Sequence, residues 1–226
     1  MKTAIKYAPI ALSEVIYPSA AVGRRMQAYA AGYLEGHVML HGPNGTGKTT
    51  MAHLLVKAIG GSDPVQESED FDELLAKPKL HDHFQNACAL ARLTTSGKYF
   101  LVLNEFDNAK RNVNKFWAEL DACEDDVMAI ITTNHPMNID RAVRSRFDMI
   151  EFGGVSAMAA LQRIQFVLKA EGLQLPDAQV LYYLKQEEHL MDLRKYFKKA
   201  DELLFLHNNK QSFPKWNTTA PSLTIV

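Results

Sequence analysis

Cysteine is scarce in this chain, an excess of charge of either sign is lacking, and no long hydrophobic run occurs. The 226 residues include two cysteines, Cys88 and Cys123. They lack the spacing of metal-ligand pairs, and two cysteines cannot build a disulfide framework. They read as buried thiols in a reducing cytoplasm. Twenty-five basic side chains face 26 acidic ones, a net charge of −1. That balance excludes a uniformly basic nucleic-acid coat but leaves room for a local basic stripe. Apolar runs such as 100–103 and 127–131 fall far below the ~18 residues of a membrane helix, so no membrane association is expected. Lys2 stands early, but Pro9, Ser13 and Glu14 break up the residues after it, and no secretory apolar segment is read. A hydrophobic fraction of 47% excludes a disordered chain, and the length suits one large domain or two small ones.

What is present alternates strand and helix. Residues 37–41 (HVMLH) form a short apolar run that opens into a glycine loop. Helical spacing over 48–59 places Leu54, Leu55, Ala58 and Ile59 on one face, and Gly60-Gly61 stops it. The polar stretch 62–72 leaves space for a short edge strand near Val65, and helical spacing returns over 84–93. Residues 99–103 and 127–133 are apolar and β-type. Short buried strands separated by helices predict an α/β domain with a parallel sheet covered on both faces.

After Phe152 the pattern changes. Gly153-Gly154 reads as a hinge or turn, and Ser156 can cap a helix running to Glu171 and ending at Gly172. Leu175-Pro176-Asp177 starts a second helix. Asp192 caps a third, with Leu193, Tyr196, Phe197, Ala200, Leu203 and Leu204 at helical spacing. The expected division is 1–153 as the α/β domain, 154–207 as a three-helix domain, and 208–226 as a polar tail that docks through Phe213 and Trp216.

The glycine loop is Gly42-Pro43-Asn44-Gly45-Thr46-Gly47-Lys48-Thr49, which matches G-x-x-x-x-G-K-[ST]. Its glycines let backbone N–H groups wrap a phosphate. The following helix N-terminus favours the anion. In this reading Lys48 reaches the β- and γ-phosphates of ATP, and the Thr49 hydroxyl ligates Mg²⁺.

A nucleotide hydrolase of this kind also needs a polar group near the metal and a group that orients water. The strand 99–103 runs into Asn104-Glu105-Phe106-Asp107. Asn104 occupies the metal-side position where aspartate is usual, so Mg²⁺ should be held more weakly and hydrolysis slowed. Glu105 is placed to act as general base. Asn134, at the tip of the strand 127–133, reads as a sensor of the γ-phosphate, because sites gather at the carboxyl ends of parallel strands. Arg141, Arg144 and Arg146 come next. Arg146 is the candidate for a finger inserted into a neighbour's site, and Arg194 for a contact from the helical domain.

This order of motifs resembles the AAA+ ATPases, and more closely the ATPase subunits of sliding-clamp loaders. Lys6-Tyr7-Ala8-Pro9 is similar to their K-Y-R-P signature, with Ala8 for the arginine. Glu14-Val15-Ile16-Tyr17-Pro18 is similar to the bacteriophage form. Asn104-Glu105-Phe106-Asp107 resembles the D-E-x-D box, and Ser145-Arg146-Phe147 the S-R-C motif. Lys169-Ala170-Glu171-Gly172 and Asp192-Leu193-Arg194 resemble the lid pattern.

The resemblance implies a five-stranded parallel sheet of order 5-1-4-3-2 with a helical lid. It implies ATP bound between protomers, with Tyr7 and Thr50 completing the ATP-binding set. It further implies a pentameric ring or spiral of AAA+ subunits, working in the cytoplasm (the host's, if phage-encoded), that opens a sliding clamp and places it on primer–template DNA. Lys110, Arg111 and Lys115 would then face DNA phosphates. Family members carry a helical collar after the lid, which the 19 residues of 208–226 cannot build. Two other readings stand beside this one. The first is an ATP-binding, weakly hydrolysing assembly subunit. The second is another AAA+ machine, such as a helicase loader or protein remodeller.

Overall fold

The computed structural model describes residues 3–104, 106 and 113–215. In chain order the elements are α1 (Thr3–Lys6), α2 (Ala20–Ala30), β1 (His37–His41), α3 (Lys48–Gly60), β2 (Gln66–Asp70), α4 (Phe71–Leu75), α5 (Leu80–Ala91), β3 (Tyr99–Asn104), α6 (Val113–Ala122), β4 (Val127–Thr133), α7 (Arg141–Arg144), β5 (Phe147–Glu151), α8 (Ala157–Ala170), α9 (Asp177–Lys185) and α10 (Leu193–Asn208). The five strands pair in parallel in the order β2-β3-β4-β1-β5, the expected order written from the other edge.

Burial follows position in the sheet. The central strands are covered on both faces, so every residue of β4 and the first five of β3 are buried. The edge strands read QESED and FDMIE. Polar and charged residues at an edge discourage pairing with another chain.

The alternation of side chains along each strand builds two cores. Met39, Leu101, Leu103, Ala129 and Ile131 pack on one face with Leu80, Phe84 and Ala87 of α5 and Phe116, Trp117 and Leu120 of α6. Val38, Leu40, Phe100, Val102 and Ile130 pack on the other with Met26 and Tyr29 of α2 and Met51, Leu55 and Val56 of α3. Cys88 and Cys123 are free thiols buried in the first core, in contact with each other.

The chain divides into two compact units. Pro9–Gly154 forms one, and the segment ending at Ala8 joins the segment beginning at Val155 in the other. Residues 3–8, expected in the α/β domain, therefore belong with the helices. Hydrogen bonds give the reason. The Thr3 backbone N–H donates to Asp201 Oδ1 at 2.9 Å, the Tyr7 hydroxyl to Glu171 Oε1 at 2.7 Å, and Arg163 Nη2 to the Tyr7 carbonyl at 2.8 Å. Within this unit Ser156 caps α8 by accepting from Ala159 N–H, and Asp192 caps α10 by accepting from Arg194 N–H. Beyond α10, the Pro214 carbonyl accepts from the Tyr183 hydroxyl at 2.9 Å.

His37 extends the sheet with its side chain. Its Nδ1 accepts the Ala129 N–H at 3.2 Å, one residue before β1 and β4 begin their register. An acceptor nitrogen carries no proton, and burial opposes charging the ring. Despite the opposing charge of Asp121, the His37 pKa is pushed down to about 4 from 6.5. Above pH 6.5 the ring is neutral whether folded or unfolded. Between pH 6.5 and 4 only the unfolded chain takes up the proton, so stability should fall as pH falls through that window. Urea unfolding at a series of pH values should show this slope. His37→Asn, which keeps an acceptor near the Nδ1 position, should flatten it.

Candidate nucleotide site

The 42–49 loop springs from the end of β1 at a crowded place. Gly42 N–H donates to the Thr133 carbonyl at the end of β4, and Phe152 N–H, just past β5, donates to the His41 carbonyl. A Cβ on Gly42 would lie 2.3 Å from the Phe152 carbonyl oxygen, and the Gly42 φ is +144°. Glycine is therefore required twice over, by space and by backbone angle. Gly45 (φ +78°) and Gly47 (φ +91°) turn the rest of the loop. Gly47 is the N-cap of α3, and its carbonyl accepts from Met51 N–H at 2.8 Å. Thr46 is buried, its hydroxyl donating to the Pro43 carbonyl at 3.1 Å.

Lys48 is almost fully buried at the end of this loop. Its Nζ donates to the Gly42 carbonyl at 2.8 Å, the Pro43 carbonyl at 2.7 Å and Asn134 Oδ1 at 2.8 Å. The last contact spans 86 positions of sequence and joins the loop to the residue just beyond β4. Lysine, loop and helix N-terminus together form an anion cradle. Pro43 and Asn44 lie on the outer part of the loop, and Thr49 and Thr50 lie in the first turn of α3.

Asn104 closes β3. Its Nδ2 donates to Ser68 Oγ at 3.2 Å, and its Oδ1 is buried without a hydrogen-bond partner among the described residues. An amide oxygen with acceptor capacity remaining and the Thr49 hydroxyl are both oxygen donors, the chemistry that Mg²⁺ takes. The residues present therefore fit that ion.

The other candidates are dispersed. Glu105, Lys110 and Arg111 lie outside the described residues, as does Trp216. Lys115 is exposed on α6. Tyr7 and Arg194 belong to the helical unit. There Tyr7 is bonded to Glu171, and Arg194 turns back to Asp192, Nε to Oδ1 at 3.4 Å. Arg146 is held by a residue that sequence reasoning missed. Its Nε donates to Asp121 Oδ1 at 2.8 Å and its Nη2 to Oδ2 at 2.8 Å. No spacing rule connects positions 25 apart in different elements.

Gly42→Ala should destabilise the fold by about 1–3 kcal/mol and weaken ATP binding, because the strand ends must part to admit the methyl group. Denaturant melts and ATP titration of the variant check both effects, and wild-type behaviour in both would contradict the crowding described.

Comparison with known proteins agrees with this geometry. The profile of the family described as "ATPase family associated with various cellular activities (AAA)" matches residues 38–155, which contain the loop and nearly all of the five strands. The chain is 28% identical over 184 residues to a replication factor C large subunit of Thermococcus kodakarensis, covering 78% of this chain and 35% of that protein. It is 27% identical over 184 residues to a replication factor C small subunit 2 of Pyrobaculum aerophilum (76% and 54%). It is 24% identical over 220 residues to a replication factor C small subunit of Methanosarcina mazei (91% and 61%). The chain thus spans between about a third and three-fifths of the length of these relatives. Among solved structures, the FIGL-1 AAA domain in complex with ADP matches with a TM-score of 0.61 at 16% identity, covering 86% of this chain and 73% of that one. PCH-2 of C. elegans matches with a TM-score of 0.61 at 17% identity (86% and 70%), and both likenesses speak to fold alone. A family match over more than half of the chain, on the residues that build the phosphate loop and its sheet, places this protein in the AAA family of ATPases.

Proposed function

We propose that this chain is an ATPase subunit of a sliding-clamp loader of bacteriophage type, which opens a ring clamp and places it on primer–template DNA during replication. The observation that carries the reading is the Lys48–Asn134 contact, which joins the 42–49 loop to the end of β4. It brings the Lys48 ammonium and the Asn134 amide together, which supports reading them as a phosphate-binding group and a γ-phosphate sensor, in a chain whose relatives are named replication factor C subunits.

Lys48 exchanges carbonyl oxygens for β- and γ-phosphate oxygens when ATP enters, and Asn134 follows the γ-phosphate from the tip of β4. Glu105 takes the proton of the attacking water. Mg²⁺, held by Thr49 and Asn104, would neutralise charge on the phosphate oxygens. Arg146 completes the site of the adjoining subunit, Arg194 reaches the phosphates from the lid, and Tyr7 and Thr50 line the nucleotide. Lys110, Arg111 and Lys115 hold DNA by its phosphates without reading sequence. The assembly is a pentamer of AAA+ subunits.

Asn104 favours a second reading, in which the chain binds ATP, hydrolyses it weakly and serves assembly. A carboxamide brings no negative charge to the metal. Asn104→Asp separates the two readings. A sharp gain in turnover from a negligible starting value supports the assembly subunit, and a modest gain with tighter Mg²⁺ dependence supports a working ATPase. An unchanged Mg²⁺ dependence would contradict the role given to Asn104.

ATP turnover measured alone, with clamp, and with clamp and primed DNA tests the main reading. Stimulation by both is expected, and no response to either contradicts it. Arg146→Ala should abolish turnover while sparing ATP binding, and mixing it with Lys48→Ala subunits should restore part of the activity. Loss of ATP binding in Arg146→Ala would place that side chain in its own subunit's site.

A further inference from the structure

Three arginines stand in residues 141–146, and among the described residues Arg146 alone of the three is paired with a carboxylate. The pairing is unusually well braced for an exposed position. Asp121 sits in the last turn of α6 and takes Arg146 bidentately. Nε reaches Oδ1 at 2.8 Å and Oδ2 at 3.1 Å, and Nη2 reaches Oδ2 at 2.8 Å. A third contact fixes the rotation of the group, because Nη1 donates to the Ala142 carbonyl in α7 at 2.6 Å.

The backbone on both sides of the pair is anchored as well. Trp117, one turn before Asp121 on α6, is buried, and its ring packs edge-on against Phe147, the residue after Arg146, with centroids 5.8 Å apart. The helix that carries the carboxylate and the segment that carries the guanidinium are thus fastened by one ring contact.

Stability does not account for this arrangement. The side chains are 34% and 46% exposed, where even a well-formed ion pair adds only about 1 kcal/mol to folding. What the contacts do achieve is orientation. A guanidinium has five N–H donors in a fixed plane. Asp121 and Ala142 engage Nε, one N–H of Nη2 and one N–H of Nη1. Each terminal nitrogen keeps a second N–H with which to donate to a phosphoryl group.

We propose that Asp121 is a positioning residue, holding the Arg146 guanidinium in a preset plane with its outer N–H groups presented to a phosphoryl group bound in the adjoining subunit. The proposal rests on the reading of Arg146 as a finger acting in trans. The charge of Asp121 never meets the substrate. Its effect is to remove the cost of ordering a long, flexible side chain at the moment of catalysis.

The test uses the full chain with clamp and primed DNA, and compares Asp121→Ala, Asp121→Glu, Arg146→Ala and the Asp121→Ala/Arg146→Ala double variant. Asp121→Ala should lower kcat by roughly 10- to 100-fold with ATP affinity and Tm unchanged. Asp121→Glu should recover part of the loss, and the double variant should be no slower than Arg146→Ala. Asp121→Ala mixed with Lys48→Ala should regain turnover, because the Lys48 variant supplies a correctly held Arg146. Wild-type kcat in Asp121→Ala, with Arg146→Ala inactive, would overturn the positioning role and leave the finger reading intact. Wild-type kcat in Arg146→Ala would overturn the finger reading itself. A loss in Asp121→Ala that comes with lost ATP affinity, or that Lys48→Ala subunits fail to relieve, would overturn the proposal by making Asp121 a structural residue of its own subunit.

Discussion

The close approach of Gly42 to the Phe152 carbonyl governs the architecture of the site. It lets the chain leaving β1 turn between the ends of β4 and β5, both of which hydrogen-bond to its root. With the root fixed, α3 begins at Lys48, and the lysine can fold back onto the loop's own carbonyls while meeting Asn134. A β-carbon at Gly42 would separate these ends, and the loop, the helix start and the Lys48–Asn134 contact would be disturbed together. The rest of the sheet supports that one junction. Buried β3 and β4 hold Asn104 and Asn134 at strand ends, where parallel sheets gather their ligands.

Much of this was legible because the central strands of a parallel sheet have no exposed face. Residues 99–103 and 127–133 stand out as continuous apolar runs, the phosphate loop is a motif in its own right, and the sheet order followed from the family resemblance. The caps at Ser156 and Asp192 were readable because a capping side chain acts within three residues of itself. The edges were harder. β2 is QESED, and only a hint near Val65 pointed to it, while β5 (FDMIE) carried no strand signal of its own. An edge strand is half solvated, and its composition reflects solvent as much as the sheet.

Lys48 and Asn134, both read as γ-phosphate residues, do meet, but the other long-range polar contacts were not legible. Thr3 with Asp201, Tyr7 with Glu171, and Arg146 with Asp121 each join residues whose types are ordinary and whose spacing has no period. The first two move the start of the chain into the helical unit, and the third gives an exposed arginine a fixed plane. A chain of net charge −1 can therefore carry a basic function locally, through the placement of a few cations and the carboxylates that hold them.

The central claim is that ATP bound at the 42–49 loop is completed by a second subunit. Mass in solution, measured with and without a non-hydrolysable ATP analogue and Mg²⁺, addresses it most directly. The account predicts a small species without nucleotide and a larger assembly with it, and no such shift for Lys48→Ala. A single mass under both conditions, or the same shift in Lys48→Ala, would contradict it.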